Sequence, residues 1–456
     1  MNLVQKSTVR AQNSNLHVAR PAVQSGLTIP LTDANLMLFS YLKIAWKVLM
    51  RRKFFTFISL FGVSFTLMIL LVVMAMFDHV VGPSTPAKRI DQMVFVNTIR
   101  NQMVGGHGWM NMPASIHFVD DYVRKMKTPE KVGISTAPTN ATAFTKSKLL
   151  ALDLAYTDGD FWQIMDFDFL GGRAFTHDEV KQAQHVCVLN EASARGYFGT
   201  ADAVGRTIEI DLKRYRVAGV VRNVSAAHVY AYADVWVPYT LSPQFYKDNR
   251  INGEFIVTIL APSAAAVPAV REEFRQMMRR VEIPNPKEVQ ALFSYADPIT
   301  ESFTRALLNH NDQTIDDDNI GAFYLIVGGL ALLFMLLPAL NLVNLNVTRI
   351  LERSGEIGVR KAFGAAGSDL VSQFLVENVV LALVGGLLGL GLAAGALALV
   401  NEAHPVAYAH FSLSWRVFGW GMVLTLLFGL MSGVYPAWKM SRLNPVAALR
   451  GGGEQK

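Results

Sequence analysis

The chain of 456 residues is 51% hydrophobic and only 17% charged, with a mean hydropathy of +0.27. A soluble chain carries about a quarter charged residues, so an ordinary water-soluble protein is excluded. The formal charge of +6 and pI of 9.2 would suit a nucleic-acid binder, but the basic residues gather beside apolar stretches and form no stripe, which excludes that class too.

Residues 1–38 are polar and lack an apolar core of signal-peptide type, so they read as a flexible cytoplasmic tail. In 39–53, Leu42, Ile44, Ala45, Val48 and Leu49 alternate with Lys43, Trp46, Lys47, Arg51 and Arg52. That is the pattern of a basic amphipathic helix at the inner membrane surface, with the plain flank of a span as the alternative. The stretch 54–77 carries no charge and exceeds the ~20 apolar residues that cross a hydrocarbon core as a helix. Three later runs, 320–348, 378–401 and 417–438, share this character. A bilayer gives exposed amides no partner, so spanning helices are predicted at 54–77, 320–348, 374–401 and 417–435.

Positive residues fix the orientation. Lys43, Lys47, Arg51, Arg52 and Lys53 precede the first span, Arg349, Arg353, Arg360 and Lys361 follow the second, and Lys439, Arg442 and Arg450 follow the fourth. Such residues collect on the cytoplasmic side, so both termini, the segment 349–368 and the tail 436–456 are expected inside. The large segment 78–319 and the short loop 402–414 are then outside.

Within 78–319, a strand-like run at 93–99, a helical stretch at 115–126 and a strand at 132–136 recur in the same order as 255–260, 264–281 and 289–293. The fold class expected is therefore a membrane protein of four helices with a large α+β external domain, its split βαβ part ferredoxin-like in outline. An insertion at about 150–240, with short alternating runs at 186–189, 207–210, 215–221 and 234–237, reads as a mostly-β subdomain.

Catalytic motifs are missing from the sequence. There is no G-x-x-x-x-G-K-[ST] phosphate loop, so no ATP site is expected, and Gly105-Gly106-His107-Gly108 reads as a turn. His177-Asp178-Glu179 is the densest group of potential metal ligands, but adjacent residues on regular structure cannot all face one ion. Cys187 is the sole cysteine, which rules out an internal disulfide; in its apolar strand it reads as a buried inert thiol. No catalytic, cofactor-binding or metal residue is predicted. The spans hold no ionisable residue near their middles, as a polar substrate path or proton relay would need. Gly385 with Gly389, and Gly391 with Gly395, place small residues four apart in the third span, a packing seam within one subunit or between two.

The segment 349–368 is the most specific stretch. As a helix it aligns Arg349, Glu352, Arg353, Glu356 and Arg360 at spacings of three and four, with Glu356 and Arg360 a favourably ordered pair. The run E-R-S-G-E-I-G-V-R-K-A-F-G-A at 352–365 closely resembles the coupling segment of MacB/FtsX-type ABC transporter permeases. So does Y-P-A-W-K-M-S-R-L-N-P-V-A-A-L-R at 435–450. The segments G-G-R-A-F-T, V-C-V-L-N-E-A-S-A-R-G-Y-F-G, A-V-G-R-T-I-E-I and R-V-A-G-V-V within 171–221 are similar to the inserted subdomain of the MacB-like external domain.

The resemblance implies a type VII half-permease of the cell inner membrane. It would dimerise with a second copy or a paralogue and be driven by a cytoplasmic ABC ATPase that carries the ATP and Mg. By position, Glu352, Arg353, Glu356, Ile357, Gly358, Arg360 and Gly364 would couple to that ATPase. The best-known member fuses its ATPase to its N-terminus; this chain begins with a short polar tail, so a separate ATPase chain is expected. The function implied is export of a peptide, antibiotic or similar molecule from the outer side by transmitted movement, with a membrane fusion adaptor and outer-membrane duct as further partners. Lipoprotein release, or signalling to a cell-wall hydrolase or sensor kinase without transport, are the alternatives.

Overall fold

The computed structural model describes residues 53–106, 108–145, 149–245, 248–308, 320–352 and 367–441, together with 355, 359 and 363. Helix α1 (Lys53–Val81) runs from the first predicted span straight into the large domain. There the chain enters β1 (Met93–Val96), whose four residues are all buried, as befits a strand covered on both faces. The run expected at 93–99 breaks at Asn97 and Thr98, and β2 (Ile99–Met103) leaves for a second sheet with β3 (Trp109–Met112). Asn97 and Thr98 are only two polar residues between Val96 and Ile99, too short an interruption for sequence pattern to show the corner. Helix α2 (Ile116–Asp121) is capped by Ser115, whose Oγ accepts from Phe118 N–H at 3.1 Å, and leads to β4 (Lys131–Thr136).

The chain then departs through β5 (Thr139–Phe144), β6 (Leu149–Thr157), β7 (Phe169–Gly172), β8 (Val186–Asn190), helix α3 (Glu191–Phe198), β9 (Thr207–Ile210), β10 (Lys213–Val221) and β11 (Val235–Pro238). Strands β6, β11, β8, β10, β9 and β5 pair in that order, and β5 pairs back onto β6, closing the ring. Closure removes the exposed edges that an open sheet of short strands would leave. Its interior is filled by Leu152, Leu154, Leu189, Ile208, Val217 and Val235, with Cys187 fully buried among them. Burial pushes that thiol's pKa well up, so it stays protonated and inert.

The chain returns as β12 (Phe255–Leu260), helix α4 (Val267–Met278) and β13 (Val289–Ser294). β12 lies between β1 and β4 and is antiparallel to both, which is the split βαβ arrangement expected. The second unit is incomplete. β13 pairs with β2 in the three-stranded sheet β13-β2-β3, and only Asp297 reaches β1, exchanging backbone hydrogen bonds with Phe95 at 2.8 and 3.0 Å. Beneath lies a core of Val94, Phe118, Ile134, Val257, Ile259 and Phe274. Helix α5 (Ile299–Leu308) then leads toward the membrane.

Helices α6 (Ile320–Glu352), α7 (Gly367–Ala403) and α8 (Trp415–Ser441) join α1 as the helices long and apolar enough to cross a bilayer. Each extends past its predicted span.

His177, Asp178 and Glu179 do not converge. Thr176 caps their short helix, and Glu179 is bound by Arg173 at 2.8 Å and by Arg216 at 3.3 Å. The Arg173 hydrogen bond, above all, holds the Glu179 carboxyl down to about pKa 2, below its ordinary 4.5. A depressed carboxylate stabilises the fold fully above its unfolded pKa and loses that contribution as pH falls through the folded value. Both arginines are more than half exposed, so the contribution is discounted to about 1–2 kcal/mol. Glu179→Gln should lower the domain's denaturation midpoint at pH 7 and flatten its acid sensitivity between pH 4.5 and about 2, read by tryptophan fluorescence.

Candidate force-transfer junction

The loop 222–233, with Asp234 completing the connection between β10 and β11, meets the outer end of α1, the segment joining α7 to α8, and α5. On one side it meets α1: Ser225 Oγ and His79 Nε2 are 3.1 Å apart, as are His228 Nε2 and Ser84 Oγ. The two imidazoles lie 5.1 Å apart, and Phe411 sets its ring edgewise on His79 at 4.9 Å. Burial first, and His79 second, push His228 down to about pKa 4, so it is neutral at ordinary pH. A neutral ring serves as a hydrogen-bonding strut without an uncompensated buried charge.

On a second side the loop meets the segment between α7 and α8. Ala226 N–H donates to the Ala407 carbonyl at 2.9 Å, and Tyr408 donates its hydroxyl to Asp234 Oδ1 at 3.1 Å. Asn401 braces that segment across its base, accepting from Phe411 N–H at 2.8 Å and donating to the Phe411 carbonyl at 2.9 Å. Arg416 on α8 pairs with Asp78 on α1 at 2.6 Å. The outer ends of α1, α7 and α8 are thereby tied to the large domain.

On the third side the loop meets α5. Tyr230 stacks on Phe95, centroids 4.0 Å apart and planes 14° off parallel. Its hydroxyl accepts from Asn97 Nδ2 at 2.7 Å and lies 2.6 Å from Ser302 Oγ. Arg305 on α5 donates to Asp297 at 2.7 Å and covers the Tyr295 ring at 4.0 Å; Arg271 on α4 donates to Glu301 on α5 at 3.0 Å. These bonds make α5 a rigid extension of the domain, pointing at α6.

Below the junction the four helices pack as a bundle. Its central cavity of about 20 Å³ is lined by apolar atoms of Val63, Met335, Ala339, Ala382 and Phe428, with Thr425 turning its hydroxyl to the Gly421 carbonyl. A Cβ on Gly385 would lie 2.9 Å from Val63, and one on Gly389 would lie 2.9 Å from the Ser64 carbonyl, so these two let α7 close on α1. A Cβ on Gly391 or Gly395 would meet nothing within 4 Å among the described residues. Gly421 and Gly429 on α8, not among the predicted packing residues, are as close: a Cβ would lie 2.6 Å from Leu71 and 2.5 Å from Ala382. The buried Asn346–Asn378 hydrogen bond, 2.8 Å, ties α6 to α7 near their inner ends, a pairing that residue order does not reveal.

Of the predicted coupling residues, Glu352 ends α6. Arg353, Glu356, Ile357, Gly358, Arg360 and Gly364 lie outside the described residues. The junction itself was not predicted from sequence. Its signal was a loop between strands carrying His228, Tyr230 and Tyr232 at alternate positions, too many large polar-tipped side chains for a simple connection.

Comparison with known proteins places two conserved units on the chain. Residues 56–277 match the MacB-like periplasmic core domain and residues 328–445 match the FtsX-like permease C-terminal domain. An uncharacterized ABC transporter permease, YknZ of Bacillus subtilis, is 23% identical over 350 residues, which span 75% of this chain and 81% of that protein. The macrolide export ATP-binding/permease protein MacB of Wolinella succinogenes is 27% identical over 438 residues, 94% of this chain but 63% of the relative's length. The crystal structure of the periplasmic region of MacB from Actinobacillus actinomycetemcomitans aligns with a TM-score of 0.33 at 16% identity, covering 48% of this chain and 94% of that one.

The packing of α7 on α1 gives a direct test. Gly389→Leu should destabilise the bundle by about 1–3 kcal/mol through overpacking against the Ser64 carbonyl. Gly391→Leu should leave the detergent-unfolding midpoint of the monomeric chain unchanged.

Proposed function

In a chain that belongs to the MacB/FtsX-like family of ABC transporter permeases, we propose that the membrane helices work as a lever and that substrate does not pass between them. The observation that carries this reading is the attachment of the large periplasmic domain at two separate places. The loop 222–233 fastens it to the outer end of α1 and to the segment joining α7 to α8, and α5 fastens it toward α6. A body held at two points must tilt when one point moves against the other. Here α6 is the moving arm, because it runs into the segment 349–368 that the family resemblance assigns to ATPase contact, and the junction is the fulcrum.

The proposed cycle begins when an ABC ATPase closes on ATP at the inner face and displaces that segment. Displacement along α6 reaches α5 and tilts the periplasmic domain about the junction. Both termini lie inside in this reading, two permease subunits act together, and a peptide, antibiotic or similar molecule is driven outward from the periplasmic side. The apolar cavity of about 20 Å³ between the spans supports it, since the cavity holds no polar path for such a substrate.

Tyr230→Phe keeps the stack on Phe95 but removes the hydroxyl joining Asn97 and Ser302. Transport by the reconstituted complex should fall severalfold while ATP hydrolysis persists; unchanged transport would count against the lever. Glu356→Lys should fail at the other end, losing transport and nucleotide-dependent assembly with the ATPase while membrane insertion stays intact. Equal assembly and transport would remove Glu356 from the coupling face.

A further inference from the structure

Strand β3 is one edge of the three-stranded sheet, and among the described residues no strand pairs with its outer side. Met103 N–H donates to the Gly108 carbonyl at 3.1 Å, one step beyond the Gln102–Trp109 pair in the register. Hydrogen-bonded pairs alternate along an antiparallel ladder, so Met110 and Met112 turn their main-chain groups inward to β2. Trp109 and Asn111 therefore turn their N–H and C=O groups outward, and among the described residues no main-chain partner meets them.

Sheet edges in native proteins are normally blunted by a charge, a proline or a bulge. The four residues of β3, Trp-Met-Asn-Met, carry none of these. Met110 and Met112 are 39% and 37% exposed, and Val104 beside the hairpin turn is 41% exposed. The first strand of the large sheet is treated differently: Asp297 bridges the outer side of β1 at Phe95.

We propose that β3 is a docking edge for an extended, uncharged peptide segment, which adds to the sheet as a fourth strand. Trp109 and Asn111 supply main-chain hydrogen bonds, and the methionines supply adaptable apolar contact. The peptide is a substrate segment only if the lever reading holds; the docking edge itself does not depend on it. A second copy of this chain is the poorer occupant. An edge of four residues buries far less than the ~1,200 Å² that a stable protein–protein interface needs.

The test uses the purified full chain in detergent, without ATPase. The probe is a fluorescent peptide of alternating valine and threonine with a lysine at each end. Its anisotropy should rise on binding, and hydrogen exchange at Trp109 and Asn111 should slow. Asn111→Pro removes one outward N–H without touching the inner ladder, and should weaken binding by roughly tenfold with the thermal midpoint unchanged. Asn111→Ala keeps that N–H and should bind as the unaltered chain does. The same peptide N-methylated at alternate residues should not bind, which decides the matter even if the proline variant fails to fold. Absence of binding to the unaltered chain, or equal binding by Asn111→Pro or by the N-methylated peptide, would overturn the proposal. A fall in oligomeric state caused by Asn111→Pro would also overturn it, in favour of pairing between copies. None of these outcomes involves ATP, so they leave the lever reading to its own tests.

Discussion

The hydrogen bonds of the loop 222–233 set the relation between the membrane helices and everything outside them. Helix α1 enters the domain without interruption, but a helix end alone is a swivel. The contacts of Ser225 and His228 with His79 and Ser84, of Ala226 with Ala407, and of Tyr230 with Asn97 and Ser302 turn that swivel into a fixed joint. Each such bond contributes only about 1 kcal/mol net, so the joint's stiffness comes from their spread over three sides of the loop. The neutral state of His228 matters for the same reason: two charged imidazoles 5.1 Å apart in a half-buried site would push the joint open.

Rigidity below the joint follows from close packing of the helices. Within the bundle, Gly385, Gly389, Gly421 and Gly429 let α1, α7 and α8 approach until side chains meet backbone. Over 320–337, 11% of α6 is buried within this chain, against 28–39% for the spans of α1, α7 and α8. Helix α6 joins those three through contacts that include Phe323 on Phe77 at 5.8 Å and the Asn346–Asn378 bond. In the lever reading it is the arm, and the glycine-packed helices carry the fulcrum.

Much of this was legible from residue order, for identifiable reasons. The spans were plain because long uncharged runs admit one solution in a bilayer. Strands β9 and β12 fall at 207–210 and 255–260 as expected, since short β-branched runs between turn residues leave little choice. The corner at Asn97 was hidden because only Asn97 and Thr98 separate Val96 from Ile99, an interruption too short to mark a change of sheet. Ring closure was hidden too: the single pair Ala143–Ile210 joins strands that local pattern cannot match. The junction was the least readable part. His79 and Ser225 are 146 positions apart, and Asn97 and Tyr230 are 133 apart, so their meaning exists only once the domain has folded.

The central claim is that events at the inner face tilt the outer domain about a fixed joint. Spin labels at Leu212, at the exposed tip of the closed barrel, and at Leu399, exposed on α7, would report that tilt. Their distance distribution would be measured by double electron–electron resonance in the reconstituted complex with its ATPase, with and without trapped ATP. The lever requires two distinct distributions, and their merger into one when Ser225 and Ser302 are both replaced by alanine. Identical distributions in the two nucleotide states of the unaltered complex would contradict it.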